Sequence, residues 1–197
     1  MSSLATIRLA ALAALSLISA HAAVFDFESV PSGAVTTFTV TEGGITATFT
    51  VSSGAFFVAP GFFATLSGQV LLDMDPALHT LSITFSQPLS GLSLVFALNN
   101  SLGLGQLTLT AYSGGLSGAV VGSVSASGTV PDGFDYPEGS LTFSGPTFDA
   151  ITLQSDQQDF AIDNLTVHGV GGPEIPEPST VALVLIGLVG ALARRRW

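Results

Sequence analysis

The sequence predicts an all-β protein whose main body, residues 23–169, is an antiparallel β-sandwich of jelly-roll type. Three observations favour this fold. Apolar and polar side chains alternate in short runs, and glycine or proline pairs separate the runs at the spacing of hairpins and longer loops. The body also has no apolar repeat of helical period. About ten to twelve strands fit this length, and we expect a cleaved signal peptide before them and a single transmembrane helix after them.

In the predicted strands every second side chain is apolar, and most of the side chains between are threonine or serine. Residues 45–51, for example, alternate Ile45, Ala47 and Phe49 with threonines. Such strands have one buried and one solvated face, as is usual in antiparallel sheets. We therefore expect outer faces that are polar but nearly free of charge. The other clear runs are residues 81–86, 92–98, 107–111 and 151–153.

Residues 1–22 have the features of a secretory signal peptide. Arg8 supplies a positive charge, residues 9–20 are mostly apolar, and residues 20–22 (Ala-His-Ala) have the small-x-small pattern of a cleavage site. A core helix is the alternative, but the strand pattern that begins at Val24 leaves such a helix no obvious partner. The sequence therefore predicts export and a mature chain that starts at Ala23.

A glycine- and proline-rich linker, residues 170–179, follows the sandwich and leads into a wholly apolar stretch. Because proline cannot continue a helix, a helix here begins after Pro178. A transmembrane helix over residues 180–193 would be about 21 Å long, which is shorter than a hydrocarbon core of about 30 Å. It would cross with help from its flanks, and the basic tail, residues 194–197, is expected on the cytoplasmic side.

This tail resembles the PEP-CTERM sorting signal of Gram-negative bacteria. The likeness is carried by the Pro176-Glu177-Pro178 motif, the apolar helix, and the basic residues Arg194, Arg195 and Arg196. The resemblance implies recognition of Pro176, Glu177 and Pro178 by an exosortase, a membrane transpeptidase, and a role connected with exopolysaccharide and biofilm. It also implies an inner-membrane anchor before processing and a final place in the cell envelope, at the cell surface or in the extracellular matrix. A simple membrane anchor with a proline-rich neck is the alternative.

Charge and composition exclude several classes of function. The chain has 4 Lys and Arg residues against 14 Asp and Glu residues, and residues 9–193 contain no Lys or Arg, which excludes nucleic-acid binding. The absence of cysteine excludes disulfides and thiol enzymes. The histidines of the mature chain, His79 and His168, belong to no recognisable catalytic motif. We therefore expect a protein that is not an enzyme; a glycoside-active enzyme, with two carboxylates across a cleft, is the less favoured alternative.

Acidic residues stand near both ends of the sandwich. Asp26 and Glu28 occupy the polar side of the first strand, opposite Phe25 and Phe27. A carboxylate on an apolar face is costly unless it is hydrogen-bonded, paired or bound to a metal. Since the domain has no Lys or Arg, backbone N–H donors, protonation and a hard cation such as Ca²⁺ remain open. On the last strand, Asp163 is predicted to lie on an apolar face together with Ala161, Leu165 and Val167.

The same end segments resemble those of Ca²⁺-containing jelly rolls, namely carbohydrate-binding modules and the MAM adhesion domain. The likeness lies in the Asp-Phe-Glu run at residues 26–28 and the Ile-Asp-Asn-Leu run at residues 162–165. MAM domains usually contain disulfides, which this chain cannot form. The resemblance implies a structural Ca²⁺ site; the alternative is solvated carboxylates and a strand-end turn. The implied ligands are Asp26, Glu28, Asp163 and Asn164.

The segment from residue 132 to residue 138 combines three carboxylates with two aromatic rings, the mixture that suits a sugar ligand. An ordinary long loop is the alternative. A second aromatic group around Pro60-Gly61 forms either an exposed adhesive tip or the closed end of the core; its members are Phe56, Phe57, Phe62 and Phe63. The predicted ligand-binding residues are Asp132, Phe134, Asp135, Tyr136 and Glu138.

Together these features predict an exported protein of the cell envelope or extracellular matrix with a structural or adhesive, non-catalytic role. Its expected partners are an exosortase, the membrane and a polysaccharide. The alternative from another class is a carbohydrate-binding module that recognises envelope polysaccharide.

Overall fold

The computed structural model describes residues 22–74, 78–99, 105–156 and 159–170, and these ranges contain eleven β-strands and no helix. The prediction of an all-β fold is confirmed, and the number of strands lies within the predicted range. The strands are β1 (Ala22–Phe25), β2 (Gly33–Val35), β3 (Thr37–Glu42), β4 (Ile45–Val51), β5 (Phe56–Pro60), β6 (Gln69–Asp73), β7 (Thr80–Leu98), β8 (Gln106–Ser113), β9 (Ala119–Ser127), β10 (Glu138–Ser155) and β11 (Phe160–Gly169).

Two long strands, β7 and β10, connect the two layers of the sandwich. Their parts at residues 80–85 and 148–155 belong to a first layer with the order β3-β4-β7-β10-β8-β9. Their other parts belong to a second layer with the order β2-β5-β6-β11-β7-β10, and β1 pairs with β11. All pairings are antiparallel. The change of layer coincides with shifted pairing between Ser144 and Ala150, where Gly145-Pro146 interrupts the regular ladder.

A single main core lies between the layers, because the alternating apolar side chains of both layers turn inward. Ile83 and Leu153 come from the first layer, and Phe96 and Ile162 come from the second. The predicted faces of the first segment are confirmed: Phe25 and Phe27 are buried in this core, and the acidic side chains between and after them are exposed. The predicted strand was too long, because β1 ends at Phe25 and Phe27 has a positive φ of 61°.

The outer faces of the first layer are polar without charge, as predicted. Between β3 and β4, the hydroxyl oxygens of Thr41 and Thr46 are 2.8 Å apart. Between β8 and β9, those of Thr108 and Ser125 are also 2.8 Å apart. Cross-strand pairs of this kind stabilise an antiparallel sheet, and here hydroxyl groups satisfy one another where many sheets use ion pairs.

The predicted sorting motif, transmembrane helix and basic tail lie outside the described residues, as does the predicted signal peptide apart from Ala22, with which β1 begins. In the described part of the chain we find no helix that is long and apolar enough to cross a membrane.

Candidate functional site

The loop between β5 and β6, residues 61–68, is supported by carboxylates from distant parts of the chain. The domain offers these carboxylates no Lys or Arg, so they need other donors. The loop supplies backbone N–H groups, and its own ends are joined by a hydrogen bond from the Gly61 N–H to the Gly68 carbonyl at 2.7 Å. Backbone N–H donors, one of the solutions left open by the sequence, are used in this structure.

Glu138, the first residue of β10, provides the largest share of this support. Its side chain is buried, and its Oε1 accepts the Ala64 N–H at 2.7 Å. Its Oε2 accepts both the N–H of Thr65, at 2.6 Å, and the Thr65 hydroxyl. Glu138 was predicted as a ligand-binding residue; in this structure its carboxylate positions the loop.

Asp163 supports the far end of the same loop. Its Oδ2 accepts the Ser67 N–H at 3.1 Å, and its Oδ1 accepts the Asn164 N–H at 2.7 Å. The pairing of β11 with β7 is shifted between Asp163 and Thr166, and Asn164 has a positive φ of 51°. These are the features of a β-bulge, in which one extra residue changes the side of the sheet that later residues face.

The bulge corrects one prediction about the last strand. Asp163 does share its face with Ala161, which is the outer face of the second layer. Leu165 and Val167 instead belong to the main core between the layers. The alternation predicted for β11 was therefore wrong beyond Asp163, because a local pattern cannot reveal the extra residue at Asn164.

Burial raises the pKa of the Asp163 carboxyl from its ordinary value of 3.8 to about 6. The hydrogen bonds from Asn164 and Ser67 lower this pKa, and the nearby charges of Asp26 and Glu28 raise it further. Desolvation has the largest effect on this pKa and outweighs the two backbone N–H donors. The side-chain Nδ2 of Asn164 also donates to Asp163 Oδ2, at 3.1 Å.

Asp26 and Glu28 also accept backbone N–H groups. Glu28 Oε1 accepts the Gln69 N–H at 2.8 Å, and Asp26 Oδ1 accepts the Glu28 N–H at 3.2 Å. Gly68 has a φ of 69°, and a Cβ there would collide with the Glu28 carboxylate, so this turn requires glycine. Within the described ranges, no group of three or more His, Cys, Asp or Glu side chains is arranged to hold a metal ion. Binding of Ca²⁺ stays a prediction.

The loop covers the outer face of the second layer. Leu66, which is 1% exposed, forms a second apolar cluster with strand residues of that face and with the partly buried Phe63. This anchor and the carboxylates hold the neighbouring Phe62 in place, although its side chain is 57% exposed. The strand members of the second cluster are Val70, Leu72, Val95, Ala97 and Ala161.

Three aromatic rings meet beside this face. The rings of Phe62 and Phe63 stack with their centroids 4.5 Å apart. The Tyr136 ring meets both edge-on, at 5.7 Å from Phe62 and 5.8 Å from Phe63. Together with Leu72, Ala97 and Ala161, which lie on the outer face of the sheet, these rings line a cleft of about 120 Å³ that we call the aromatic cleft. The small side chains of the two alanines leave room between the rings and the sheet.

Polar side chains line the same cleft. Asn99 follows β7, and Asp159 precedes β11. These two strands are neighbours in the sheet, which brings the two side chains together. The Asn99 Nδ2 donates to Asp159 Oδ2 at 2.6 Å. Asp159 Oδ1 is buried and accepts no hydrogen bond in the described part of the chain. Asp73 also lines the cleft, and its carboxylate lies 3.0 Å from Nδ1 of the buried His79.

The five predicted ligand-binding residues lie in different places in the structure. Tyr136 lines the aromatic cleft, and Glu138 supports the opposite loop. Asp132, Phe134 and Asp135 are exposed and are not among the described residues that line the cleft. Whether any of the five binds a ligand stays a prediction.

The phenylalanines around Pro60-Gly61 also lie in different environments. Phe56 belongs to the main core, whereas Phe62 is exposed and stands at the aromatic cleft. The core position predicted as one alternative is confirmed for Phe56, and the adhesive role predicted as the other stays a prediction for the exposed Phe62. Asn99 and Asp159 were missed as site residues, because neither stands in a motif and only the pairing of β7 with β11 brings them together.

The C-terminal segment matches a known family model. Residues 174–196 match the PEP-CTERM protein-sorting motif. The match includes Pro176, Glu177 and Pro178 as well as Arg194, Arg195 and Arg196, so the resemblance predicted from the sequence is confirmed. The motif marks a secreted protein that is targeted to the cell envelope, and it implies processing by an exosortase.

No curated protein matches the chain, whereas several solved structures resemble it. The K1 cleaved adhesin domain of Lys-gingipain from Porphyromonas gingivalis W83 is 12% identical with a TM-score of 0.46, covering 76% of this chain and 99% of that domain. The family 32 carbohydrate-binding module of C. perfringens NanJ, solved with galactose, is 15% identical with a TM-score of 0.37, covering 62% and 93%. A xylan-binding domain of family 22 is 14% identical with a TM-score of 0.39, covering 64% and 89%. At these values the likenesses assign neither a ligand nor an activity to this chain.

Proposed function

We propose that this chain is an exported, non-catalytic adhesive protein of the cell envelope or extracellular matrix that binds polysaccharide through the aromatic cleft. The observation that carries the proposal is the meeting of the Phe62, Phe63 and Tyr136 rings beside the polar side chains of Asn99 and Asp159. The PEP-CTERM motif supports the cell-surface setting, where exopolysaccharide and biofilm matrix are available ligands.

The cleft has the chemistry that a sugar requires. A pyranose ring has apolar C–H faces that pack against aromatic rings, and hydroxyl groups that need a few convergent polar partners. Phe62 is more than half exposed, so it can contact a ligand without moving away from the core. The cleft therefore offers both kinds of contact to one face of a sugar ring.

Replacing Phe62 or Tyr136 with alanine is expected to weaken polysaccharide binding by roughly tenfold or more each, because each ring supplies apolar contact area at the cleft. Binding of the full chain to an array of envelope polysaccharides, followed by titration of the best ligand, measures the effect. Phe134→Ala is the matched control, since it removes an exposed ring that does not line the cleft. Equal affinities for all three variants and the wild type would exclude the cleft, and a lack of binding to every polysaccharide would exclude the function.

A glycoside-active enzyme remains the second candidate, because two carboxylates, Asp73 and Asp159, line the same cleft. This candidate predicts that a bound oligosaccharide is shortened with time and that Asp159→Asn stops the reaction. The proposed function predicts that the oligosaccharide is recovered intact. Product analysis by mass spectrometry after prolonged incubation separates the two.

Changing Pro176, Glu177 and Pro178 together to alanine is expected to leave the chain unprocessed in the membrane fraction, because an exosortase would no longer recognise it. Fractionation of the producing cells and the apparent mass of the chain measure retention and processing. Pro173→Ala, just before the matched residues, is the matched control and should be processed normally. Normal processing of the triple variant would contradict the role of these residues in sorting.

A further inference from the structure

We propose that the sugar held in the aromatic cleft carries a free amino group, so that the ligand is a polysaccharide of de-N-acetylated hexosamine; this inference rests on the proposed function. The main evidence for this inference is the environment of the Asp159 carboxylate. One of its oxygens accepts a hydrogen bond from Asn99, and the other is buried and accepts none in the described part of the chain. Among the described residues, the negative charge of this carboxylate is therefore answered by a single neutral amide, and it attracts a ligand that brings a positively charged donor to the cleft.

The charge of the domain favours a cationic donor over a neutral one. Residues 9–193 contain no Lys or Arg, so no side chain of the domain other than histidine can bring positive charge to the cleft. Asp73, which also lines the cleft, faces His79. Asp159 faces only a neutral amide among its described partners. An ammonium group on the ligand would form a charge-assisted hydrogen bond with this carboxylate, which is stronger than a bond from a hydroxyl group.

The aromatic rings add to this preference. A cation that lies near the face of a phenyl or phenol ring is attracted by the ring quadrupole. Phe62, Phe63 and Tyr136 are clustered at the same cleft as Asp159. Acidic sugars are disfavoured by the same surroundings, because a sugar carboxylate would approach a domain whose formal charges are negative. Amino sugars therefore match the rings, the carboxylate and the overall charge. Neutral sugars match the rings and can donate a hydroxyl to the carboxylate, but they do not compensate its charge.

Three trisaccharides that differ only at C2 test the inference directly. The β-1,4 trimers of glucose, N-acetylglucosamine and glucosamine carry a hydroxyl, an acetamido and an amino group at this position. Calorimetric titration of the full chain at mildly acidic pH, where the amine is protonated, is expected to give at least about tenfold tighter binding of the glucosamine trimer. Equal affinities, or preference for either other trimer, would overturn the inference and leave polysaccharide binding standing. Binding of none of the three would overturn the inference, whereas the proposed function is decided by the polysaccharide array.

Variants separate the cleft from general attraction between an acidic protein and a cationic sugar. Asp159→Asn is expected to remove the preference for the glucosamine trimer, so that this trimer binds no more tightly than the glucose trimer. Glu42→Gln removes the same charge at the far end of β3, outside the cleft, and should keep the preference. If Glu42→Gln reduces the preference as much as Asp159→Asn does, the attraction is not specific to the cleft and the inference fails. The glucose trimer also reports whether Asp159→Asn has kept the fold of the cleft.

Discussion

Replacing Glu138 with alanine is expected to lower the free energy of unfolding by about 2–4 kcal/mol, because three hydrogen bonds to a charged acceptor are lost. The Glu138 carboxylate is buried and accepts the N–H groups of Ala64 and Thr65 and the Thr65 hydroxyl. Ala64 and Thr65 are exposed residues, so water can partly replace the lost acceptor and keep the cost below the sum of three bonds. Urea unfolding followed by circular dichroism measures the change.

Two further variants test whether the lost hydrogen bonds of Glu138 cause the loss of stability. Glu138→Gln keeps one acceptor oxygen but places an N–H₂ group opposite other donors, so we expect an intermediate loss. Glu42→Ala removes a carboxylate from the end of β3 and should change stability little. Because loop 61–68 carries Phe62 and Phe63, Glu138→Ala should also weaken sugar binding at temperatures where the chain is still folded. A stability equal to that of the wild type would show that the loop does not depend on this carboxylate.

The Asp163→Asn variant is expected to gain roughly 2–3 kcal/mol of stability relative to the wild type as the pH rises from about 4 to about 7. Folding raises the pKa of Asp163 from 3.8 to about 6, so the folded chain binds this proton more tightly than the unfolded chain. The resulting stabilisation of the wild type is fully present below the unfolded pKa and is lost as the pH rises through about 6. Asparagine does not titrate, so the variant lacks this loss. Urea unfolding of both chains across this pH range measures the difference.

The test compares the free energies of unfolding of the wild type and Asp163→Asn at each pH. The pH dependence of either protein alone does not decide the prediction, because net charge also changes with pH. Asp132→Asn removes a carboxylate from an exposed loop and controls for this effect. Parallel stability curves for the wild type and Asp163→Asn would refute the prediction. The predicted binding of Ca²⁺ has its own signature, since the cation favours ionised carboxylates. Added Ca²⁺ would then raise the unfolding temperature of the wild type at neutral pH and leave Asp163→Asn unchanged.

The residues of the predicted sugar site do not stay together in the structure. The segment 132–138 was chosen because aromatic and acidic residues stand close together in it. Tyr136 does line a cleft with a carboxylate, but its aromatic neighbours come from loop 61–68 and its acidic neighbour is Asp159. Glu138 accepts the Ala64 N–H across a separation of 74 residues. Nearness along the chain therefore did not predict which side chains meet at the cleft.

The sequence by itself determined the all-β fold, the sandwich, the uncharged outer face of the first layer and the sorting motif. Each of these follows from local pattern or composition: period-two alternation expresses the geometry of a single strand, and residues 174–196 match a motif that is contiguous in the chain. Only the tertiary structure decided the face of Leu165, the partners of the buried carboxylates and the assembly of the aromatic cleft. The extra residue at Asn164 is invisible to an alternation pattern, and hydrogen bonds and ring contacts depend on distances between strands that chain spacing does not contain.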